Sequence, residues 1–199
     1  MQRIVLASSN RGKLAEFNAL LAHSGFDVVA QASLGIDDAE ESGLTFVENA
    51  LLKARHAAQS SGLPALADDS GLCVDYLGGA PGLHSARYAG GHGDNAANNA
   101  KLLRELAGVP AEQRGAFFIC ALVLLRRADD PTPLIVEGRW HGRVLDAPRG
   151  AQGFGYDPLF LPHGQQVSSA ELDPTLKNNL SHRGQALARL QARLTELRG

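Results

Sequence analysis

Long apolar runs are missing from this chain. No stretch of about eighteen apolar residues occurs, which excludes a helical membrane span. A strand-like pattern starts within the first few residues, so no signal peptide is expected. Cysteine is reduced to two residues, Cys73 and Cys120, both inside apolar runs and at no zinc-like spacing. Reduced core thiols of a cytoplasmic protein are the expectation. Neither sign of charge dominates: the formal net charge is −2. No extended basic stripe interleaved with aromatics appears, which argues against a stable nucleic-acid partner. Lysine is scarce, at four of the 19 basic residues: Lys13, Lys53, Lys101 and Lys177. An ammonium is a compact point charge, unlike a guanidinium, so the few lysines kept in an arginine-rich chain are candidates for chemistry.

What is present alternates in period. Arg3–Ala7 reads as a strand, followed by Ser8-Ser9-Asn10 and a helix with Leu14, Phe17, Leu20 and Leu21 on one face. Val28–Ala30 is a second strand, and 37–42 an acidic loop. Thr45 with Glu48 forms a capping box for a helix running to about Ser61. Phe117–Leu125 is an almost unbroken apolar strand, and Leu134–Val144 is another. Leu159–Leu161 is a short strand, and Ser181 caps a last helix striped by Leu187, Leu190, Leu194 and Leu197. The 199 residues suffice for one domain with a substantial core. The interleaving predicts an α/β fold with a mixed central sheet.

The chemistry concentrates in segments that break local rules. Leu63–Ala67 runs apolar into Asp68-Asp69-Ser70-Gly71, and Leu72–Leu77 follows as another strand. Adjacent strand residues face opposite ways, so one carboxylate can enter a cleft while the other braces the turn. A pair of acids at a strand end suits Mg²⁺, although taken alone the same four residues read more readily as a plain hydrogen-bonded turn. The helix after Ser8-Ser9-Asn10 begins with Arg11 and Lys13 around Gly12, two cations where the helix dipole prefers anions. A phosphate seated there removes the conflict. It is not a Walker A loop, because Leu14 follows the lysine. His182-Arg183 after Ser181, with Lys177 upstream, repeats the anomaly. In Gly153-Phe154-Gly155-Tyr156-Asp157-Pro158 the flanking glycines leave Phe154 free either to stack on a planar ligand or to plug a core. Asn49 and Lys53, four apart, share a helix face that also reads as simply solvated.

Taken in order, these segments resemble the inosine/xanthosine triphosphate pyrophosphatase family. The matching pieces are Ser8–Lys13, Phe46–Ala50 with Lys53-Ala54, Ala67–Leu72, Gly79–Gly82 with Ser85–Tyr88, Gly153–Pro158 and Ser181–Gly184. The resemblance implies Mg²⁺-dependent hydrolysis of a deaminated purine nucleoside triphosphate to monophosphate and pyrophosphate, by a cytoplasmic homodimer. Its fold would be a long mixed central β-sheet flanked by helices, in two lobes around a deep active-site cleft. By that likeness Ser8, Ser9, Asn10, Arg11, Gly12 and Lys13 would hold the triphosphate, and Glu40 and Asp69 the metal. Asp69 would also accept the proton, with Asp68, Glu41 and Lys53 in support. Ser70, Phe154, Gly155, Tyr156, Asp157, Lys177, His182 and Arg183 would line the nucleotide pocket. Ser9 departs from the glycine that many relatives carry there. His182 and Arg183 would donate to the 6-keto oxygen of hypoxanthine or xanthine, where adenine offers an amino group instead. Two alternatives stand beside this reading. One is a related pyrophosphatase acting on modified pyrimidine or ordinary nucleotides, which a substrate panel separates. The other is a nucleotide sensor without turnover, which would tolerate loss of Asp69.

Overall fold

The chain begins by pairing strands in parallel. In the computed structural model, which describes residues 2–9, 11–21, 25–91 and 93–196, β1 (Gln2–Ala7) lies between β2 (Phe26–Ala30) and β3 (Ala65–Val74). Both pairings are parallel, setting Ile4 beside Val28, Leu6 beside Leu66 and Ala7 beside Ala67. Parallel neighbours need crossovers. These are α1 (Arg11–Leu21), from β1 to β2, and α2 (Phe46–Ser61), from β2 to β3. Thr45 caps α2 as its sequence predicts, accepting from Glu48 N. The sheet is six-stranded and mixed, in the order β2-β1-β3-β4-β5-β6. Its remaining strands are β4 (Gly115–Leu125), β5 (Leu134–Val144) and β6 (Phe160–Pro162), the last antiparallel to β5. The remaining helices are α3 (Asn95–Glu105), α4 (Pro174–Leu180) and α5 (His182–Glu196).

Contacts divide the chain into two compact units. The first holds Met1–Asp69, Cys120–Gly138 and His182–Gly199, and the second Ser70–Ile119 and Arg139–Ser181. In the first unit the two-residue period of β1 and β3 sorts side chains to opposite faces. Ile4, Leu6 and Leu66 pack with Phe17 and Leu21 of α1 and Leu187 and Leu190 of α5. Val5, Ala7, Ala65 and Ala67 pack with Ala50, Ala54, Ala57 and Ala58 of α2. Alanines on both surfaces let α2 lie close to the sheet, while the α1/α5 face is filled by larger side chains. Truncating the fully buried Phe17 to Ala would cost about 3–5 kcal/mol. Leu20's side chain and Leu197 lie outside the described residues. Gly138 makes room for α5, because a Cβ there would stand 2.0 Å from the His182 carbonyl oxygen. The second unit has its own core, in which Leu72, Val74, Trp140 and Val144 join Leu102 and Leu106. Phe118 meets Phe160 edge-on there, with ring centroids 4.8 Å apart.

Three expectations change. The Asp68-Asp69-Ser70-Gly71 stretch is not a turn between two strands; β3 runs through it for ten residues. Asp, Ser and Gly are turn formers locally, but here cations from flanking helices meet the carboxylates and the strand continues. The expected Leu72–Leu77 strand ends at Val74 and gives way to a 3₁₀ turn, Asp75–Leu77. Helix α4 was not expected, yet its signals are in the chain: Asp173 accepts from Thr175 N and Leu176 N, and Pro174 occupies the first turn. Cys73 and Cys120 are free and buried, as predicted.

Candidate active site

Strand β1 is where the chain changes direction. From it one crossover leads to β2 on one side, and the next leads to β3 on the other. The carboxyl ends of parallel strands at such a switch point form a natural ligand site, with helix starts and loops around it. Ala7 is paired with Ala67, so Ser8 leaves β1 beside the point where Asp68 and Asp69 follow in β3. Both carboxylates are buried, Asp68 1% exposed and Asp69 7%.

Asp68 takes the α1/α5 face. Lys13 of α1 places Nζ 2.9 Å from its Oδ2, and Arg183 of α5 places Nε 3.7 Å from the same oxygen. Arg183, 4% exposed, is also ion-paired through Nη1 with Glu16 of α1. Burial works most strongly against ionisation of Asp68. The cations Lys13, Arg183 and Lys53 outweigh it and hold the carboxyl well below the usual range. Burial likewise opposes charge on Arg183, but Glu16 and Asp68 keep it firmly protonated. Asp68 Oδ1 has no hydrogen-bond partner among the described residues.

Asp69 takes the α2 face. Lys53 Nζ lies 3.0 Å from its Oδ1 and 2.8 Å from Glu41 Oε1. Asn49 Nδ2 donates to Asp69 Oδ2 at 3.4 Å, while its Oδ1 accepts from Gly43 N at 2.8 Å. Burial raises the Asp69 carboxyl above its ordinary value, with Glu41 adding to it and Lys53 and Lys13 pulling the other way. Lys53 itself is held above the ordinary ammonium range, because Asp69, Asp68 and Glu41 overcome its burial. A buried carboxylate with a raised pKa is a competent proton acceptor. Asn49 therefore is no solvated surface residue: it is 2% exposed and ties the acidic loop to Asp69.

The remaining predicted residues distribute as follows. Ser8 is buried beside the pair, and Ser9 is exposed, donating to Asp38. Glu40 is exposed on the acidic loop next to Glu41. His182 is buried at the start of α5. Asn10 lies outside the described residues; Arg11 and Gly12 open α1, and their side chains lie outside them as well.

Ser70, Phe154, Gly155, Tyr156, Asp157 and Lys177 belong to the second unit. There Asp157, 5% exposed, organises the glycine loop. Its Oδ2 accepts from Phe154 N at 2.8 Å and from Lys177 Nζ at 2.9 Å, and its Oδ1 from Ser169 Oγ at 2.9 Å. Gly153 has φ +77°, and a Cβ there would stand 2.2 Å from Asp157 Oδ2, so only glycine fits. Lys177 Nζ sits 5.5 Å from the centroid of the half-buried Phe154 ring. Tyr156 is a core residue whose hydroxyl donates to Ser85 O at 2.9 Å. Asn99 Nδ2 donates to Gly155 O at 3.1 Å. Sequence reading did not reach Glu16, Gln31, Asp38, Ser169 or Asn99. The partner each engages is brought to it by the fold.

Whether a divalent cation suits these residues follows from the donors. Among the described residues no three or more His, Cys, Asp or Glu side chains come together as a group that could hold a metal ion by themselves. Glu41 and Asp69 share one ammonium, with Glu40 adjacent. That is a sparse all-oxygen set, the kind used by Mg²⁺, which leaves most of its shell to water and phosphate oxygens. The residues fit it.

The sequence model of the Ham1 family matches residues 4–193. The dITP/XTP pyrophosphatase of Ralstonia nicotianae is 62% identical over 197 residues, covering 98% of this chain and 97% of that protein. Among solved structures, a HAM1 protein from Coxiella burnetii superimposes with TM-score 0.90 at 49% identity, covering 98% of this chain and 100% of its own. The nucleoside-triphosphatase, dITP/XTP pyrophosphatase, of Mycobacterium abscessus gives TM-score 0.76 at 45% identity, over 95% of this chain and 98% of its own.

Proposed function

The chain belongs to the Ham1 family, and from that premise we propose that it hydrolyses deaminated purine nucleoside triphosphates (dITP, ITP and XTP) to the monophosphate and pyrophosphate. One observation carries the reading most: Lys13 and Arg183 converge on Asp68, while Lys53 engages Asp69, just past the carboxyl end of β1, where β3 continues. Attack of water on a phosphorus needs charge stabilisation and positioning more than covalent help. Lys13 and Lys53 offset the negative tail, with Ser8, Asn10 and the start of α1 as its seat. Asp69, its carboxyl raised by burial, takes the proton of the attacking water. Lys53 and Asn49 fix the direction of that carboxylate. Glu40, Glu41 and Asp69 would hold Mg²⁺, which when bound neutralises phosphate charge and acidifies water.

Phe154 supplies a face for the base, and the Asp157–Lys177 pair fixes the loop that presents it. His182 and Arg183 are donors, the sign that a 6-keto oxygen requires and an adenine amino group refuses. The protein acts as a cytoplasmic homodimer in this reading; sedimentation tests the second term. The deciding assay is incubation with inosine triphosphate and Mg²⁺, separating pyrophosphate from orthophosphate. Stoichiometric pyrophosphate, at a rate well above that with adenosine triphosphate, is expected. Orthophosphate as the product, or equal rates for the two nucleotides, overturns the proposal.

A further inference from the structure

Ser9 stands in the turn after β1, exposed, and its hydroxyl is not idle. Its Oγ donates to Asp38 Oδ2 at 2.5 Å, in the range of charge-assisted O–H···O⁻ bonds. The other oxygen of Asp38 accepts from Gln31 Nε2, also at 2.5 Å. Gln31 is a fixed post: it is 3% exposed, directly follows β2, and its carbonyl accepts from Ile36 N at 3.2 Å. A chain of two hydrogen bonds therefore runs from the candidate phosphate turn, through the acidic loop, to a buried carboxamide.

The acidic loop is otherwise racked on α2. His56 Nε2 lies 3.0 Å from Asp37 O, Lys53 binds Glu41, and Asn49 accepts from Gly43 N. Among the described residues, Asp38 is the member of this set that reaches the turn following β1. Glu40 and Glu41 come two and three positions after it. Both oxygens of Asp38 are engaged, so it links the segment after β1 to the carboxylates that follow it.

We propose that Ser9, Asp38 and Gln31 form a latch that couples polyphosphate binding at Ser8, Lys13 and the start of α1 to cation binding at Glu40 and Glu41, with Ser9 and Asp38 as positioning residues. This rests on the pyrophosphatase reading above. A phosphate that settles the turn holds Ser9, Ser9 holds Asp38, and the carboxylates beyond it keep their place. Linkage makes the effect reciprocal, so a bound cation tightens the triphosphate by the same factor.

Two measurements test it on the whole protein. In metal-free protein without nucleotide, amide exchange over residues 36–43 should quicken about fivefold or more in both Ser9→Ala and Asp38→Ala. With inosine triphosphate, each variant should raise both the half-saturating Mg²⁺ concentration and the KM by about fivefold. The double variant should do no more than either single one. Unchanged exchange, parent-like constants in Asp38→Ala, or effects that multiply in the double variant overturn the latch; the last would mean that Ser9 touches phosphate independently. A parent protein that releases no pyrophosphate sinks the functional reading instead, and the exchange experiment still judges the latch.

Discussion

The two faces of β3 handle adjacent carboxylates in opposite ways. On the α1/α5 face, Asp68 meets two cations, Lys13 and Arg183, and is held ionised well below the usual range. On the α2 face, Asp69 and Glu41 share one cation, Lys53, and burial prevails, so the Asp69 carboxyl rises. The residues are chemically identical and neighbours in sequence. What separates them is the ratio of cations to carboxylates within reach, multiplied by the weak screening of a buried site. In the proposed mechanism such a pair would divide labour: one member a fixed negative anchor that orders cations, the other a base that changes its protonation state.

The sharpest way to break the comparison is to neutralise each member. Asp69→Asn should lower kcat by about 10²–10⁴-fold, the typical contribution of a general base, with circular dichroism and melting temperature near the parent's. Near-normal turnover would remove Asp69 from the mechanism. Asp68→Asn should act on stability instead. It removes the carboxylate that Lys13 and Arg183 share and leaves Arg183 with Glu16, a loss of about 3–5 kcal/mol in urea denaturation. If that variant is as stable as the parent, the anchor role is wrong.

Phe154→Ala provides a reference from the second unit. A lost base stack of about 1–3 kcal/mol should raise KM by roughly tenfold to a hundredfold while leaving the acid side of the pH profile in place. A shift of that profile would tie the aromatic loop to the proton transfer, contrary to the division proposed.

The finest probe is Lys53→Met. In the proposed mechanism Asp69 must be ionised to accept a proton, so activity should fall as pH drops through its raised pKa, above the ordinary aspartate value. Lys53 favours the ionised form, so removing it should carry the acid limb of kcat/KM to still higher pH. A limb that stays put, or moves down, would show that another group controls it.

Much of this was readable in the chain before any fold. Strands β1, β4 and β5, helices α1, α2 and α5, and the capping box at Thr45 follow from period and local chemistry. Lys13, Lys53 and Lys177 stood out because lysine is rare here, and each is found on a carboxylate. Strand β3 defeated local reading because Asp-Asp-Ser-Gly is turn-like until helices on both sides supply cations. Arg183 shows the same limit: its place among Glu16 and Asp68 is fixed by the packing of α5 against α1.

Sequence by itself determined that Asp68 and Asp69 point opposite ways once a strand carries them, because the period of a strand is two whatever surrounds it. It also determined which charges were available. Only the tertiary structure decided which of them stood beside which carboxylate. Electrostatic energy depends on distance and burial, and those are set by how the helices pack on the sheet, not by spacing along the chain.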